Sequence, residues 1–347
     1  MKNYAKTRAV LALLLLVATL GIGTTLAGQQ RTDRRERKNG TIALSGRAVA
    51  DGQYVANFQI ATRPKHGGPY TYITNLPDGA FDPDFTPNGK TIVFWSPDPF
   101  PDGIFSIPTE GGTPVQIQTG CGSDPNCLGD DNPAVSPDGR ELLTVRALGP
   151  IDDQGCPAFV GIYRFAIDGT HAKQISRDGS HCVVDVEPRW SPDGHKIIFQ
   201  YQDGTGVSSL WIMGRDGSNR EQITPPGLDI GNPDLSPDQE RFVFQSPAEP
   251  TDDQHPQQVY TIERDGTHVV ELTHYLPVAG LTIKSFGTRW SPDGRKILFS
   301  HVDSTTTLGP DGLHHADLFV MNADGSEIVQ LDFNPDAENG PAWGARR

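Results

Sequence analysis

The sequence predicts an all-β fold, a six-bladed β-propeller of four-stranded antiparallel blades that is closed by N- and C-terminal strands sharing one blade. Three observations lead to it: one turn motif occurs five times, a hairpin signal follows each copy, and the chain ends carry complementary parts of a further repeat. The composition agrees, because 38 Gly and 29 Pro in 347 residues are typical of many short strands joined by tight turns.

The turn motif consists of an apolar residue, Ser or Thr, Pro, and Asp or Asn, usually followed by Gly. Its copies are Phe85–Gly89, Val135–Gly139, Trp190–Gly194, Leu235–Gln239 and Trp290–Gly294. Pro presets φ, the Asp side chain bonds to nearby backbone, and Gly accepts a left-handed conformation, so each copy is a tight turn. An alternating apolar segment follows every copy, which predicts that the motif joins strands A and B of a blade.

A second hairpin signal lies between successive copies of the turn motif. Leu210–Met213 runs into Asp216-Gly217 and then into Gln222–Thr224, and Asp-Gly between two strands is a strong hairpin signal. The corresponding turns elsewhere are Gly111-Gly112, Asp168-Gly169, Asp265-Gly266 and Asp324-Gly325. Each period therefore supplies strands A to D, which is one propeller blade.

The two chain ends complete the ring. Gly340–Gly344 repeats the strand A pattern, whereas Thr41–Leu44, Asn57–Ile60 and Tyr72–Thr74 are typical of strands B, C and D. We expect these segments to form a sixth blade, which leaves no open sheet edge.

The Trp-Ser-Pro-Asp-Gly pattern of Trp190–Gly194 and Trp290–Gly294, with its paired Asp-Gly hairpins, resembles the WD40-like repeats of the TolB propeller family. The resemblance covers residues 41–347 and implies the propeller, but says little about activity. TolB itself carries a further N-terminal α/β domain, for which residues 28–39 leave no room. TolB's role in the Tol–Pal system is therefore not carried over.

Residues 1–27 have the features of a Sec-type signal peptide. Basic residues precede an uncharged apolar run from Ala9 to Leu20, and Thr25-Leu26-Ala27 offers a cleavage site. An uncleaved anchor is the alternative, although the apolar part is short for a span of about 20 residues. We expect a periplasmic or secreted protein with no membrane span after cleavage.

Residues 28–39 are polar and rich in Arg, which predicts a flexible basic tether, with a docking segment as the alternative. The propeller is expected to take residues 40–347. We expect a monomer.

The cysteines Cys121, Cys127, Cys156 and Cys182 suit an oxidising compartment. None has the Cys-x-x-Cys spacing of a zinc or redox site. Four cysteines permit three pairings, among which the sequence does not choose; we favour Cys121–Cys127 and Cys156–Cys182.

The formal charge of −14 predicts that nucleic acid and anionic lipid are not partners, because phosphate binding needs clustered basic side chains. Cationic partners, metal ions and basic protein surfaces remain compatible with it. Acidity that only keeps an exported protein soluble is the alternative.

The longer irregular segments all fall on the face that carries the B–C and D–A connections. They are Gly120–Asn132, Ala147–Pro157, Pro247–Gln258, His274–Gly287 and Ser300–His315. Long loops on a rigid scaffold are frequent binding sites, so this face is the expected binding rim. Its histidines are His181, His255, His274, His301, His314 and His315. They could share a metal ion with Asp303 or Asp317, but their spacing fits no ligand motif, and exposed loop histidines are the alternative.

Three charged residues occupy one position of strand A in consecutive blades, namely Arg189, Asp234 and Arg289. We expect an inter-blade ladder of ion pairs near the central channel. A charged funnel for an acidic peptide or ligand is the alternative. The Asp residues of the turns on the opposite face could in principle bind calcium, but local backbone bonds are the expected role of their carboxylates.

The sequence lacks the nucleophile elbow, the zinc-protease helix, the phosphate loop and the dinucleotide fingerprint. We therefore expect no cofactor and an exported, non-catalytic scaffold whose loop-rich face binds a protein, a peptide or a cell-envelope component. A metal-dependent lyase or hydrolase that uses the histidine-bearing rim is the alternative, and a ligand sensor is a third possibility.

Overall fold

The computed structural model describes residues 38–51, 53–54, 57–65, 68–97, 103–176, 182–225, 227–249, 252–306, 308–310, 312–331 and 338–346. These residues form six four-stranded antiparallel sheets. The innermost strand of each sheet contacts the innermost strand of the next, and the sixth contacts the first, so the ring is closed. The predicted six-bladed propeller is confirmed.

Five blades follow one another along the chain, with strands A to D running outward from the centre. Blade 1 consists of Phe81–Phe85, Thr91–Ser96, Gly103–Pro108 and Val115–Ile117. Blade 2 consists of Cys127–Val135, Glu141–Ile151, Pro157–Ala166 and Lys173–Gln174. Blade 3 consists of Val184–Trp190, Lys196–Gln202, Ser208–Gly214 and Glu221–Gln222. Blade 4 consists of Gly231–Leu235, Arg241–Ser246, Gln258–Glu263 and Val270–Glu271. Blade 5 consists of Lys284–Trp290, Lys296–Val302, Asp317–Asn322 and Val329–Gln330.

Blade 6 is built from both ends of the propeller, as predicted. Its strands are Glu338–Arg346, Lys38–Gly46, Gln59–Arg63 and Thr71–Tyr72. The C-terminal strand pairs directly with the first strand, Trp343 opposite Ile42 and Ala342 opposite Ala43. The first strand begins at Lys38, two residues inside the segment expected to be a tether, and the Asn39 side chain accepts a bond from the Asp293 amide of blade 5 (3.2 Å).

Two smaller elements complete the described structure. Val49–Ala50 and Gln53–Tyr54 form a short hairpin between strands B and C of blade 6, and Cys121–Ser123 is a 3₁₀ turn. Among the described residues, no helix is long and apolar enough to cross a membrane.

The turn motif works through its side chains. In blade 3 the Ser191 hydroxyl donates to the Asp193 carboxylate (2.6 Å), which accepts from the His195 amide (3.0 Å). The Lys196 amide donates to the Ser191 hydroxyl (2.9 Å), and Gly194 takes a φ of 73° that a side chain would strain. These bonds fix the A–B turn and the register of the strand that follows it.

The outermost strands are only two or three residues long, and in four blades a hydroxyl extends the pairing. The Thr224 hydroxyl accepts a hydrogen bond from the Leu210 amide (3.0 Å). It takes the place that a further backbone carbonyl of strand D would have in the pairing. Thr74, Ser176 and Thr273 accept the amides of Ile60, Ile162 and Val259 in the same way. The Ser or Thr that follows strand D in these four blades therefore satisfies a buried donor.

The core lies between neighbouring blades. Leu143 and Ile162 of blade 2 pack against Ile197, Phe199 and Met213 of blade 3, all fully buried. Equivalent clusters join the other neighbouring pairs. Because each blade buries apolar surface only against its neighbours, every blade depends on the closed ring.

Candidate binding face and central channel

Antiparallel pairing gives the ring two distinct faces. The A–B and C–D turns lie at one end of every blade, and the B–C and D–A connections lie at the other. We call the first the turn face and the second the loop face. The Asp side chains of the turn face are engaged in their own turns, as with Asp216, whose pKa is lowered by bonds from the Ser218 hydroxyl and amide.

Two disulfides stiffen the loop face beside blade 2. Cys121 pairs with Cys127 and Cys156 with Cys182, as favoured from the sequence, with Cα–Cα distances of 5.2 and 5.4 Å. The strands of this blade extend further than expected, because Cys127–Val135 and Glu141–Ile151 pair along almost their whole length. The segments around them are therefore shorter and more ordered than the sequence indicated.

Two layers of strand A residues line the central channel. The upper layer, nearer the loop face, is a ring of residues whose backbone is in the left-handed conformation. At the same position of strand A, one per blade, stand Asp82, Asn132, Glu187, Asn232, Gly287 and Gly340, with φ between 45° and 67°. Each interrupts the A–B pairing with a bulge. The side chains of blades 1 to 4 are therefore turned into the channel mouth.

Hydrogen bonds link this ring to its surroundings. The Asp82 carboxylate accepts from the Trp95 indole (2.8 Å) and from the Asn132 amide group (3.1 Å). The side-chain oxygen Oδ1 of Asn232 accepts a hydrogen bond from the backbone amide of Gly287 in the next blade (2.9 Å). Beside Trp95, half-buried rings continue outward through Phe81 and Phe58.

The lower layer contains Asp84, Arg189, Asp234 and Arg289, but not as a ladder of ion pairs. The Asp84 carboxylate accepts the amide of Val135 (2.7 Å), and the Asp234 carboxylate that of Trp290 (2.8 Å), so each aspartate bonds the backbone of the next blade. Arg189 forms its ion pair with Glu187 of its own strand (3.8 Å).

Arg289 donates to the carbonyl of Thr288, also on its own strand (2.8 Å). Of the ladder expected through Arg189, Asp234 and Arg289, one link is electrostatic: the Arg189 charge of blade 3 opposes the rise that burial causes in the pKa of Asp234 in blade 4.

Burial controls the protonation of the channel carboxyls. It raises the pKa of Glu187 to about 7 and that of Asp234 to about 6, and it raises the pKa of Asp84 as well. The Arg189 guanidinium opposes the rise at all three carboxyls. Burial thus moves the pKa of Glu187 and Asp234 from the acidic range toward neutrality.

Comparisons with known proteins agree with this architecture. No protein-family model matches the sequence. Among solved structures, TolB from Acinetobacter baumannii superposes with a TM-score of 0.67 at 19% identity, over 88% of this chain and 66% of that chain. The chain has the propeller fold of TolB. A putative TolB from Agrobacterium tumefaciens gives a TM-score of 0.60 at 16% identity, over 89% of this chain and 98% of that one.

The likeness concerns the fold alone. Hydrazine synthase from Kuenenia stuttgartiensis, named as an enzyme, also superposes, with a TM-score of 0.64 at 14% identity, over 89% of this chain and 47% of that one. The chain spans just under two thirds of the Acinetobacter TolB. The likeness to TolB therefore does not extend to what this chain does.

The histidines proposed for the rim of the TolB-like propeller lie at separate places. His255 contacts Asp252 (2.9 Å), His274 contacts Glu271 (3.2 Å), and both are exposed. The half-buried His314 contacts the carbonyl of Thr306 (2.8 Å), His315 packs edge-on against Tyr54, and His181 lies outside the described residues. Within the described ranges, no three His, Cys, Asp or Glu residues are grouped as a metal would require.

His301 belongs to the interior of blade 5 rather than to an exposed rim. It lies on strand B at 0% exposure, and its Nδ1 is 2.8 Å from the hydroxyl of Ser285. Its ring stacks on Tyr275 with centroids 3.8 Å apart, and its Nε2 is 3.2 Å from Asp303, a contact that lowers the pKa of that carboxyl. Ser285 is equally buried, so this Ser-His-Asp arrangement supports two loops and offers no accessible nucleophile.

Sequence reasoning missed the upper layer of the channel, namely Asp82, Asn132, Glu187 and Asn232. A signal was present, because each immediately precedes the Pro of its strand A motif. The left-handed bulge that turns these side chains inward arises from contacts between blades, as where the Asp82 amide donates to the Ser45 hydroxyl of blade 6 (3.2 Å).

Proposed function

We propose that this protein is an exported, non-catalytic binding scaffold whose loop face engages a protein, a peptide or a cell-envelope component. It is directed to the periplasm or out of the cell by its N-terminal signal. The two disulfides support an oxidising compartment. The closed six-bladed ring supplies a rigid support for the loops.

The observation that carries this proposal is the contrast between the two faces. On the turn face, side chains such as Ser191 and Asp193 are occupied by the turns that they form. The loop face carries the longer connections, such as residues 274–283 and the described parts of 303–316, and the polar channel mouth belongs to the same face. Ordered loops on a rigid scaffold are where recognition is usually located.

The metal-dependent alternative receives no comparable support. His301 is buried, His255 contacts the carboxylate of Asp252 in the B–C loop of blade 4, and His274 contacts that of Glu271 on strand D of the same blade. The candidate ligands therefore do not converge on one point of the loop face.

Site-specific photo-cross-linking in the producing cell tests the proposal. A photoreactive amino acid is placed at exposed loop-face positions, Ile151, Leu276 and Leu313, or at exposed turn-face positions, Glu110, Glu240 and Glu327. We expect one discrete adduct from the loop face and none from the turn face. Adducts confined to the turn face, or the absence of any, would reject the proposal.

A further inference from the structure

Two neighbouring loops present large apolar side chains to solvent. Leu276 and Val278, on the connection from blade 4 to blade 5, are 78% and 38% exposed, and Leu308 and Leu313, on the B–C loop of blade 5, are 55% and 63% exposed. The loops start side by side, because Lys284 pairs with Val302 at their base. We call these four residues the apolar crest.

The loops that carry the crest are held by hydrogen bonds at several points. The Asp253 carboxylate accepts the amide of Gly280 (2.6 Å), and the Gln258 side chain donates to the carbonyl of Tyr275 (2.8 Å). In the second loop the Gly309 amide donates to the carbonyl of Leu313 (2.9 Å). The Tyr275 ring of the first loop stacks on His301, which lies on the strand that leads into the second loop.

Exposure on a fixed backbone distinguishes the crest from apolar residues scattered on a mobile loop. Hydrogen bonds already hold backbone atoms of both loops before a partner arrives, so binding would cost less conformational entropy. Clustered exposed apolar residues rimmed by polar groups are typical of interfaces.

Carboxylates stand on the crest loops and on the neighbouring B–C loop of blade 4. Among them are Glu249, Asp252, Asp253 and Asp303, of which Asp253 contacts Gly280 of the first crest loop. Hydrogen bonds hold the pKa of the three aspartates below the ordinary value, so they stay ionised. The exposed carboxylates of this face are Asp51, Asp78, Asp124, Asp152, Asp153, Glu249 and Asp252.

In the ranges that the structure describes, the arginines and lysines of the loop face are Arg47, Arg146, Arg189, Lys284 and Arg289, all buried or half-buried. Lys284 in addition lies 3.5 Å from Glu249. The face thus combines apolar contacts with a negative potential that its own cations do not neutralise.

We infer that the apolar crest docks a basic, amphipathic protein segment, whose apolar side chains contact Leu276, Leu308 and Leu313 while its lysines or arginines face the surrounding carboxylates. The inference rests on the proposed function and names the chemistry of the partner. A second copy of this chain would present the same acidic face and be repelled. Anionic lipid and nucleic acid are disfavoured by the same charge.

Binding of a defined peptide tests the inference. The probe is a fluorescent synthetic peptide of alternating leucine and lysine, titrated with the whole protein and followed by fluorescence anisotropy. We expect saturable binding that L276S/L308S/L313S weakens by at least about tenfold, because the peptide would no longer cover three exposed leucines. The matched control V115S/V270S/V329S removes apolar residues of similar exposure from the outer strands, and it should change the affinity by less than about twofold.

A charge variant provides an independent readout if the triple variant folds poorly. Glu249→Lys alters a side chain that is 78% exposed, and it should weaken the leucine–lysine peptide while strengthening a leucine–glutamate peptide. No binding, equal binding of the leucine–glutamate peptide to the unaltered protein, or equal losses in the crest and outer-strand variants would each overturn the inference. If the peptide experiment fails in one of these ways but the loop face still gives cross-links in the cell, the proposed function is retained and only the basic partner is rejected.

Discussion

The channel carboxylates act mainly on the backbone of the neighbouring blade. Asp234 accepts the amide of Trp290 in blade 5 and that of Leu235 in its own strand, so one side chain joins two inner strands. Ala134 stands at the same position in blade 2, which shows that the fold tolerates a residue without this bond. The aspartate therefore adds stability at a particular blade junction.

We predict that Asp234→Ala lowers the free energy of unfolding by about 1 to 3 kcal/mol, because it leaves the buried amide of Trp290 without an acceptor. Asp234→Asn retains an acceptor oxygen and should lose less. Urea denaturation followed by tryptophan fluorescence measures both. Equal stability of the alanine variant and the unaltered protein would contradict this role.

Glu187 should make stability depend on pH near neutrality. Burial raises its pKa to about 7 from an ordinary value of 4.5, so the folded protein binds this proton more tightly than the unfolded chain does. Its contribution to stability is therefore fully present below pH 4.5 and is lost as the pH rises through 7.

We predict that the stability of the unaltered protein relative to Glu187→Gln falls by roughly 3 kcal/mol between about pH 4.5 and 8. The reason is that a tenfold difference in proton affinity between the folded and unfolded states corresponds to about 1.4 kcal/mol. Urea denaturation of both proteins across this range measures the difference. A difference that stays constant with pH would show that the carboxyl does not titrate in the channel.

At the scale of single elements, the sequence indicated most strands but not where each one ends. The turn motif located the A–B turns because Ser, Asp and Gly form them through local bonds, as Ser191 and Asp193 do. His301 was expected in a loop, yet strand B continues to Val302. Its pairing with Ser285 and Asp317, which are distant in sequence, fixes that extension.

His301 should hold the two crest loops in place. His301→Ala removes a fully buried ring that stacks on Tyr275 and contacts Ser285, so we expect a loss of about 2 to 4 kcal/mol and faster amide hydrogen exchange in residues 274–283 and 303–316. His255→Ala is the control, because that side chain is 76% exposed and should leave exchange in these segments unchanged. Unchanged exchange in the His301 variant would separate the crest from this support.

At the scale of the whole molecule, the repeat spacing and the divided sixth blade were sufficient to predict the ring. The channel site was less accessible to sequence reasoning. Arg189, Asp234 and Arg289 were recognised as one structural position, but their partners depend on how far each blade is rotated against the next. The apolar crest was missed because isolated leucines in loops give no periodic signal.

The propeller is held closed by one pairing between the chain ends, on which both faces depend. Ile42 and Ala43 lie opposite Trp343 and Ala342, and Glu338–Arg346 is the strand at the inner edge of blade 6. Its deletion would expose the inner edge of Lys38–Gly46 and the cores of two junctions.

Thermal unfolding of a chain that lacks residues 338–347 tests this closure most directly. A chain that lacks residues 28–37, which the sequence predicts to precede the propeller, serves as the control. We predict that the C-terminal deletion lowers the melting temperature of the whole domain by more than about 10 °C, through the loss of several kcal/mol of burial, while the control melts like the full chain. If the chain without residues 338–347 melts at the same temperature as the full chain, the two ends do not close the ring.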